Sequence, residues 1–226
     1  MAVHIELYRS SFEDVERQIV KTGELTVSTF RYASGIEALR VRNSRGEIII
    51  LPFKGQQIWR AHFDGRDLTM KSMFDEPVDT TDYLKTYGAF MIHCGLTGLG
   101  APGPEDNHPL HGEIPNAPFQ KAWLEIDDRT GCIRIGGSYR HTVAFSTNYL
   151  ATARIIMEAE SALLDVSLEV ENLKCTPMEM MYLAHANFRP VDNGELHYTA
   201  NYDATSVKVR RSIPAHISPK PDYMAF

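Results

Sequence analysis

Five glycines and five prolines fall between Ile92 and Trp123, in the stretch IHCGLTGLGAPGPEDNHPLHGEIPNAPFQKAW. Proline supplies no ladder N–H and glycine gives up order on folding, so this stretch is neither a regular helix nor a central strand. A loop of this length inside a compact domain is usually functional or disordered. Its apolar flanks, Phe90-Met91-Ile92 before and Trp123-Leu124 after, point to order. Within it lie His93, His108 and His111, the acids Glu105, Asp106 and Glu113, and Asn116. The expectation is a loop that forms one wall of a polar pocket, with the rest of the chain as scaffold.

That scaffold reads as strands. Leu25 to Tyr32 and Gln57 to Phe63 alternate, Ile36 to Asn43 follows the first of them, and Glu47 to Phe53 is an apolar run short enough to be a buried strand. Ser44-Arg45-Gly46 and Asp128-Arg129-Thr130-Gly131 are turns, and Asp64-Gly65 is a hairpin signal. After the loop, strands are predicted over Lys121–Asp127, Cys132–Ile135, Tyr139–Phe145, Tyr149–Ala159, Leu163–Asn172 and Met178–Phe188, with short ones over His197–Tyr202 and Ser206–Arg210. One short N-terminal helix is expected over Ser11–Lys21, capped by Ser11, with Glu13 and Asp14 in its first turn. Many strands joined by turns imply an all-β antiparallel sandwich or barrel, as a single domain over residues 1–226. The Pro-rich ending SPKPDYMAF reads as a C-terminus cut short.

Composition removes several function classes. Net charge is −6, from 23 basic and 29 acidic residues. That is no footprint for nucleic acid, and no Lys/Arg cluster invites an anionic membrane. Cys94, Cys132 and Cys175 are odd in number and form no CxxC pair, which argues against a disulfide framework and for a reducing compartment. No apolar run reaches the roughly 18 residues of a membrane helix, and charges occupy the N-terminus where a signal peptide needs an apolar core. The expectation is a cytoplasmic protein that takes a small molecule, with a homodimer compatible.

Two constellations carry chemistry. His108 and His111 lie three residues apart, with Glu113 two further on. Imidazole titrates near neutral pH, so a pocket histidine can move protons or hold a hydroxyl; the bland alternative is a polar surface loop. The spacing matches no metal signature, since structural zinc sites want fuller Cys/His sets. No cofactor motif is present either, neither GxGxxG nor a P-loop, and GxSxG is absent. In Tyr182–Phe188 alternate side chains share a face, so His185 and Asn187 point together beside Leu183. Burying them costs free energy unless they are hydrogen-bonded. They are either a satisfied core pair or a pocket-facing acid/base pair. Adjacent His93 and Cys94 on a strand would face opposite ways, which argues against a thiol nucleophile. Trp59, Trp123 and Tyr182 suit either the core or stacking on a sugar ring.

The order of motifs then becomes familiar. CGLTGLGAP (Cys94 to Pro102), HPLHGEIPNAP (His108 to Pro118) and VENLKCTPMEMMYLAHANF (Val170 to Phe188), with PFKGQQIWRAHFDGRDL (Pro52 to Leu68) before them, resemble the aldose-1-epimerase-like (galactose mutarotase-like) superfamily. The nearest likeness is to its poorly characterised bacterial branch, a domain of unknown function, over roughly residues 30 to 200. The resemblance implies an antiparallel β-supersandwich whose open concave sheet binds a monosaccharide. It implies an isomerase that opens and recloses the sugar ring by acid/base chemistry, without cofactor or metal. His185 matches the general acid and His111 the loop histidine that holds the sugar; Asn187 and Asn116 fall in the matching neighbourhood, with Glu113, His93 and His108 as further binding candidates. Glu113 stands where that branch usually carries Arg. No position before Phe226 matches the family's general-base Glu. The base is then a local carboxylate such as Glu113 or Asp106, a residue beyond Phe226, or absent. The competing readings are a carbohydrate-binding or regulatory protein without turnover, and a metal-dependent sugar isomerase built on His93, His108, His111 and His185.

Overall fold

The computed structural model describes residues 2–127, 129–208, 213 and 218–222. The chain divides into two compact units, Met1–Pro190 and Val191–Phe226. In chain order the strands are β1 (Ala2–Leu7), β2 (Arg17–Thr22), β3 (Leu25–Arg31), β4 (Glu37–Arg42) and β5 (Gly46–Leu51). Then come β6 (Gln57–Phe63), β7 (Arg66–Asp67), β8 (Met91–Leu96), β9 (Lys121–Asp127) and β10 (Cys132–Val143). The last three are β11 (Thr147–Glu158), β12 (Leu164–Asn172) and β13 (Met181–Ala186). All belong to the first unit. Among the described residues no helix is long and apolar enough to cross a membrane.

The strands form two antiparallel sheets. The smaller runs β1-β9-β10-β11-β12; the larger runs β13-β8-β6-β5-β4-β3-β2, with β7 paired to β6. Hairpins build most of the larger sheet, and their turns follow the sequence signals. Asp64 and Gly65 both have positive φ (52° and 72°), which matches the right-handed twist of the strands they join. Asn43 Oδ1 accepts the Arg45 and Gly46 N–H groups, each at 2.9 Å, and so closes the β4–β5 turn.

Strand β5 explains the division of the core. Ile48 and Ile50 join a cluster that draws on both sheets, with Val27 and Val41 from the larger and Leu124, Ile133, Ile135 and Ile155 from the smaller. Ile49 and Leu51 point the other way, into a second cluster with Trp59, Tyr83, Ile92 and Cys94. A strand buried on both faces reads as a continuous apolar run, as EIIIL does. The larger sheet therefore carries a covered outer face, and the candidate site lies on it.

Several expectations need correction. No helix forms over Ser11–Lys21: Arg9–Ser11 is a short 3-10 turn, and Arg17–Thr22 is strand β2, paired with β3. Val20 is its one buried residue, so the cap signals at Ser11 lose to a ladder that a neighbouring strand already offers. Met91–Leu96 is strand β8, so the irregular loop starts at Thr97. Cys132–Ile135 and residues 139–143 of the expected Tyr139–Phe145 belong to one strand, β10, running without interruption through Gly136-Gly137, while Ala144 and Phe145 lie in the turn to β11. There the Trp123 indole lies over Gly136, and a Cβ would meet its Cε2 at 2.2 Å.

In the second unit residues 197–202 and 206–208 are not strands; residues 209 and 210 lie outside the described residues. Asp203 accepts the Thr205 and Ser206 N–H groups, each at 2.9 Å, and with the Thr205 hydroxyl these donors hold its carboxyl down to about 2.

Candidate functional site

The loop's His-Gly pair is fixed by backbone geometry. His111 sits at φ 61°, in the left-handed region that ordinary side chains avoid. Its N–H donates to Gly100 O at 2.9 Å and its carbonyl accepts Gly95 N–H at 2.7 Å, so both sides of the peptide are tied. Gly112 follows at φ 79°, where a Cβ would stand 2.2 Å from Gly95 O and 2.4 Å from Gly98 O. Only glycine fits this close approach of backbones. The strained histidine thus has its ring aimed by the loop itself.

The ring it meets comes from β13. His185 pairs across the ladder with Ile92, whose side chain packs in the outer-face cluster, so His185 shares that face. The His111 and His185 centroids are 5.7 Å apart at an interplanar angle of 80°. Two tyrosines complete the group. Tyr83 lies 4.8 Å from His111 and 6.4 Å from His185, and Tyr87 stands edge-on to His185 at 5.6 Å. Burial lowers the His111 pKa, and the neighbouring His185 lowers it further. His111 Nδ1 is buried without a hydrogen-bond partner.

Tyr83 opens a 3-10 turn (Tyr83–Thr86) and Tyr87 follows it, in a segment where the sequence predicts no element. Their signal there is only the spacing of two tyrosines four apart in a stretch without periodicity. Tyr87 donates its hydroxyl to Asn187 Oδ1 at 2.8 Å, and Asn187 Nδ2 donates to Ala89 O at 3.0 Å. Asn187 does share the His185 neighbourhood, but its amide is spent on the protein.

The other sequence candidates divide. Asn116 is buried, accepting from Gln57 Nε2 at 2.9 Å and donating to Thr81 O at 3.4 Å, which ties the loop to β6 and to the segment before Tyr83. His108 donates to Pro109 O at 2.8 Å and does not join the imidazole pair. His93 lies on the opposite face of β8 from Ile92, fully buried, and shares a 2.8 Å hydrogen bond with the Tyr182 hydroxyl. Burial drives its pKa down to about 4. It is therefore a core histidine, not a lining residue of the outer face. Cys94 faces the site, yet burial pushes its thiol up to about 11, the reverse of what a nucleophile needs. Its Sγ is 3.9 Å from the Tyr83 hydroxyl. Trp59 is core and Trp123 stacks with His4.

Beside the imidazole pair opens a cleft of about 580 Å³, lined among others by Tyr83, Leu110, Gly112, Glu113, Ala117 and Tyr139. That size suits a small molecule, for which sites run roughly 300–1,000 Å³. Leu110 and Gly112 flank His111 in the chain and Tyr83 touches both imidazole rings, although neither imidazole is part of the cleft wall. Glu113 is held by Thr97 N–H at 3.1 Å, the Thr97 hydroxyl at 2.8 Å and the Tyr149 hydroxyl at 2.7 Å. Tyr149 stacks on His141 at 5.1 Å, and His141 Nδ1 shares a 2.8 Å hydrogen bond with the Tyr139 hydroxyl. Burial, then the bond and charge of Glu113, raise the Tyr149 pKa. Asp106, the other carboxylate considered, accepts Gly103 N–H at 2.7 Å in an exposed turn. Among the described residues no three His, Cys, Asp or Glu side chains gather as metal ligands would.

Known proteins place the fold. The chain superposes on a crystal structure described as a "putative aldose 1-epimerase" from Klebsiella pneumoniae, with a TM-score of 0.73 at 19% identity. The match covers 83% of this chain and 56% of that one, so the chain spans little more than half the length of that protein. At this identity the likeness establishes the fold, an aldose-1-epimerase-like β-sandwich. None of the curated proteins matches the chain. Residues 33–207 match a family described as a domain of unknown function (DUF4432), and the chain belongs to that family.

Proposed function

We propose that the first unit binds a monosaccharide on the outer face of the larger sheet and interconverts its anomers, as an aldose 1-epimerase-like isomerase. One observation carries this reading: two imidazoles from segments far apart in sequence stand 5.7 Å apart beside a cleft large enough for a sugar. In this reading His185 gives a proton to the ring oxygen while a base takes the proton of the anomeric hydroxyl. The bond from C1 to the ring oxygen breaks, the aldehyde rotates, and reclosure returns both protons. Two imidazoles this close resist carrying two charges, and burial favours the neutral form of His111. That supports a division in which His111 orients a hydroxyl and His185 supplies the proton. Two carboxylates line the cleft, Asp82 and Glu113; Asp82 pairs with Lys85, which leaves Glu113 as the candidate base.

NMR exchange spectroscopy or polarimetry on freshly dissolved aldoses tests the reading. Wild-type protein should accelerate anomer exchange of at least one sugar, and His185→Gln should return the rate to that of buffer. Exchange at the buffer rate across a broad panel would remove turnover. A second reading, sugar binding without catalysis, draws on the three donors already engaged by Glu113. It predicts saturable binding with an unchanged rate.

A further inference from the structure

We infer that the cleft selects uncharged sugars, and that Glu113 makes the selection. The inference rests on reading the cleft as a sugar site. Glu113 stands partly buried in the cleft wall, and its hydrogen-bonding partners are neutral donors: Thr97 N–H, the Thr97 hydroxyl and the Tyr149 hydroxyl. Among the described residues no Lys, Arg or His forms an ion pair with it. The cation in the wall, Lys85, is taken by Asp82 on its own turn. Asp82 and Lys85 cancel, so the wall keeps the charge of Glu113.

That charge cannot move aside. Tyr149, which holds Oε1, is itself buried and stacked on His141, while Thr97 grips the carboxylate from the end of β8. The Thr97 N–H is shared between the two oxygens, at 3.1 and 3.3 Å, so three donors serve a carboxylate with about four lone-pair sites and leave room for one more. A sugar hydroxyl can fill it by donating a proton. A phosphate dianion or a uronate carboxylate at the same place offers no proton. It meets a fixed like charge in a wall without a free cation, which disfavours it strongly where water is partly excluded. Tyr139, whose hydroxyl is shared with His141, stands in the same wall as a further neutral partner.

The test is a calorimetric and saturation-transfer NMR titration with matched pairs of neutral and anionic sugars, among them D-galactose with D-galacturonate and D-glucose with D-glucose 6-phosphate. At low salt the neutral member of at least one pair should bind, and its anionic counterpart should bind at least about tenfold more weakly. Glu113→Gln keeps the shape and an acceptor for the hydroxyl while removing the charge, and it should narrow that gap about tenfold. Should Glu113→Gln not fold, the wild-type ratio still decides, and higher ionic strength should shrink it. Equal binding within a pair, tighter binding of the anion, or no binding of any neutral sugar would overturn the inference. Selective binding with anomer exchange at the buffer rate leaves it standing and removes only the turnover.

Discussion

The hydroxyl of Tyr87 donates to Asn187 Oδ1 at 2.8 Å, joining the 3-10 turn to the residue that follows β13 across a hundred positions of sequence. Asn187 then passes its own amide protons to Ala89 O and its backbone N–H to Phe90 O. This side chain therefore sets where Tyr87 stands, and Tyr87 meets the edge of His185. Asn187→Ala leaves the buried Ala89 carbonyl without its partner and frees Tyr87. The expected loss is about 2–3 kcal/mol in denaturant unfolding, against about 1 kcal/mol for Tyr87→Phe. In the double variant the two losses should sum to less than their separate values, because both report one hydrogen bond.

His111 and Gly112 separate geometry from chemistry. A side chain at Gly112 meets two carbonyl oxygens closer than any Cβ tolerates, in a backbone conformation that already disfavours it. Gly112→Ala should cost about 3 kcal/mol or more, seen as a lower thermal midpoint.

At His111 the strain works the other way. Asparagine accepts the left-handed conformation more readily than histidine. His111→Asn should therefore hold unfolding free energy within about 1 kcal/mol of wild type, while the loss of the imidazole abolishes accelerated anomer exchange. A variant that loses stability and activity together would make His111 a structural residue.

How much of this was legible in the sequence differs from residue to residue. The alternation of YLAHANF predicts one face for His185 and Asn187; β13 ends at Ala186, and the two share a neighbourhood through Tyr87, while the His-Gly pair marks a constrained loop. Both signals are local, so both survived folding. Tyr83 and Tyr87 were invisible because their role depends on two elements arriving from elsewhere, in a segment with no period of its own. His93 is hard to place for a related reason: it stands at the head of the Gly/Pro-rich stretch, and MIHCGL is a short strand whose ladder partner, β13, comes some ninety residues later. The N-terminal helix failed because capping signals are worth about a kilocalorie, less than the pairing that β3 offers.

His93 gives the protein a measurable acid sensitivity. Burial lowers the His93 pKa from 6.5 to about 4, so the folded protein keeps it neutral where the unfolded chain protonates it. Between those values the unfolded state binds more protons, and stability falls as pH falls. The contribution is complete above about pH 6.5 and is lost progressively toward pH 4, a change of roughly 3 kcal/mol. Other groups contribute as well, among them His111, whose pKa burial lowers in the same direction. They are common to wild type and to His93→Gln, which cannot ionise. Urea unfolding of both proteins at several values from pH 7 to 4 isolates the effect. The wild-type advantage over His93→Gln should shrink steadily as the buffer is acidified. A difference that stays flat across the window would mean that His93 takes up its proton as readily in the folded protein as in the unfolded chain.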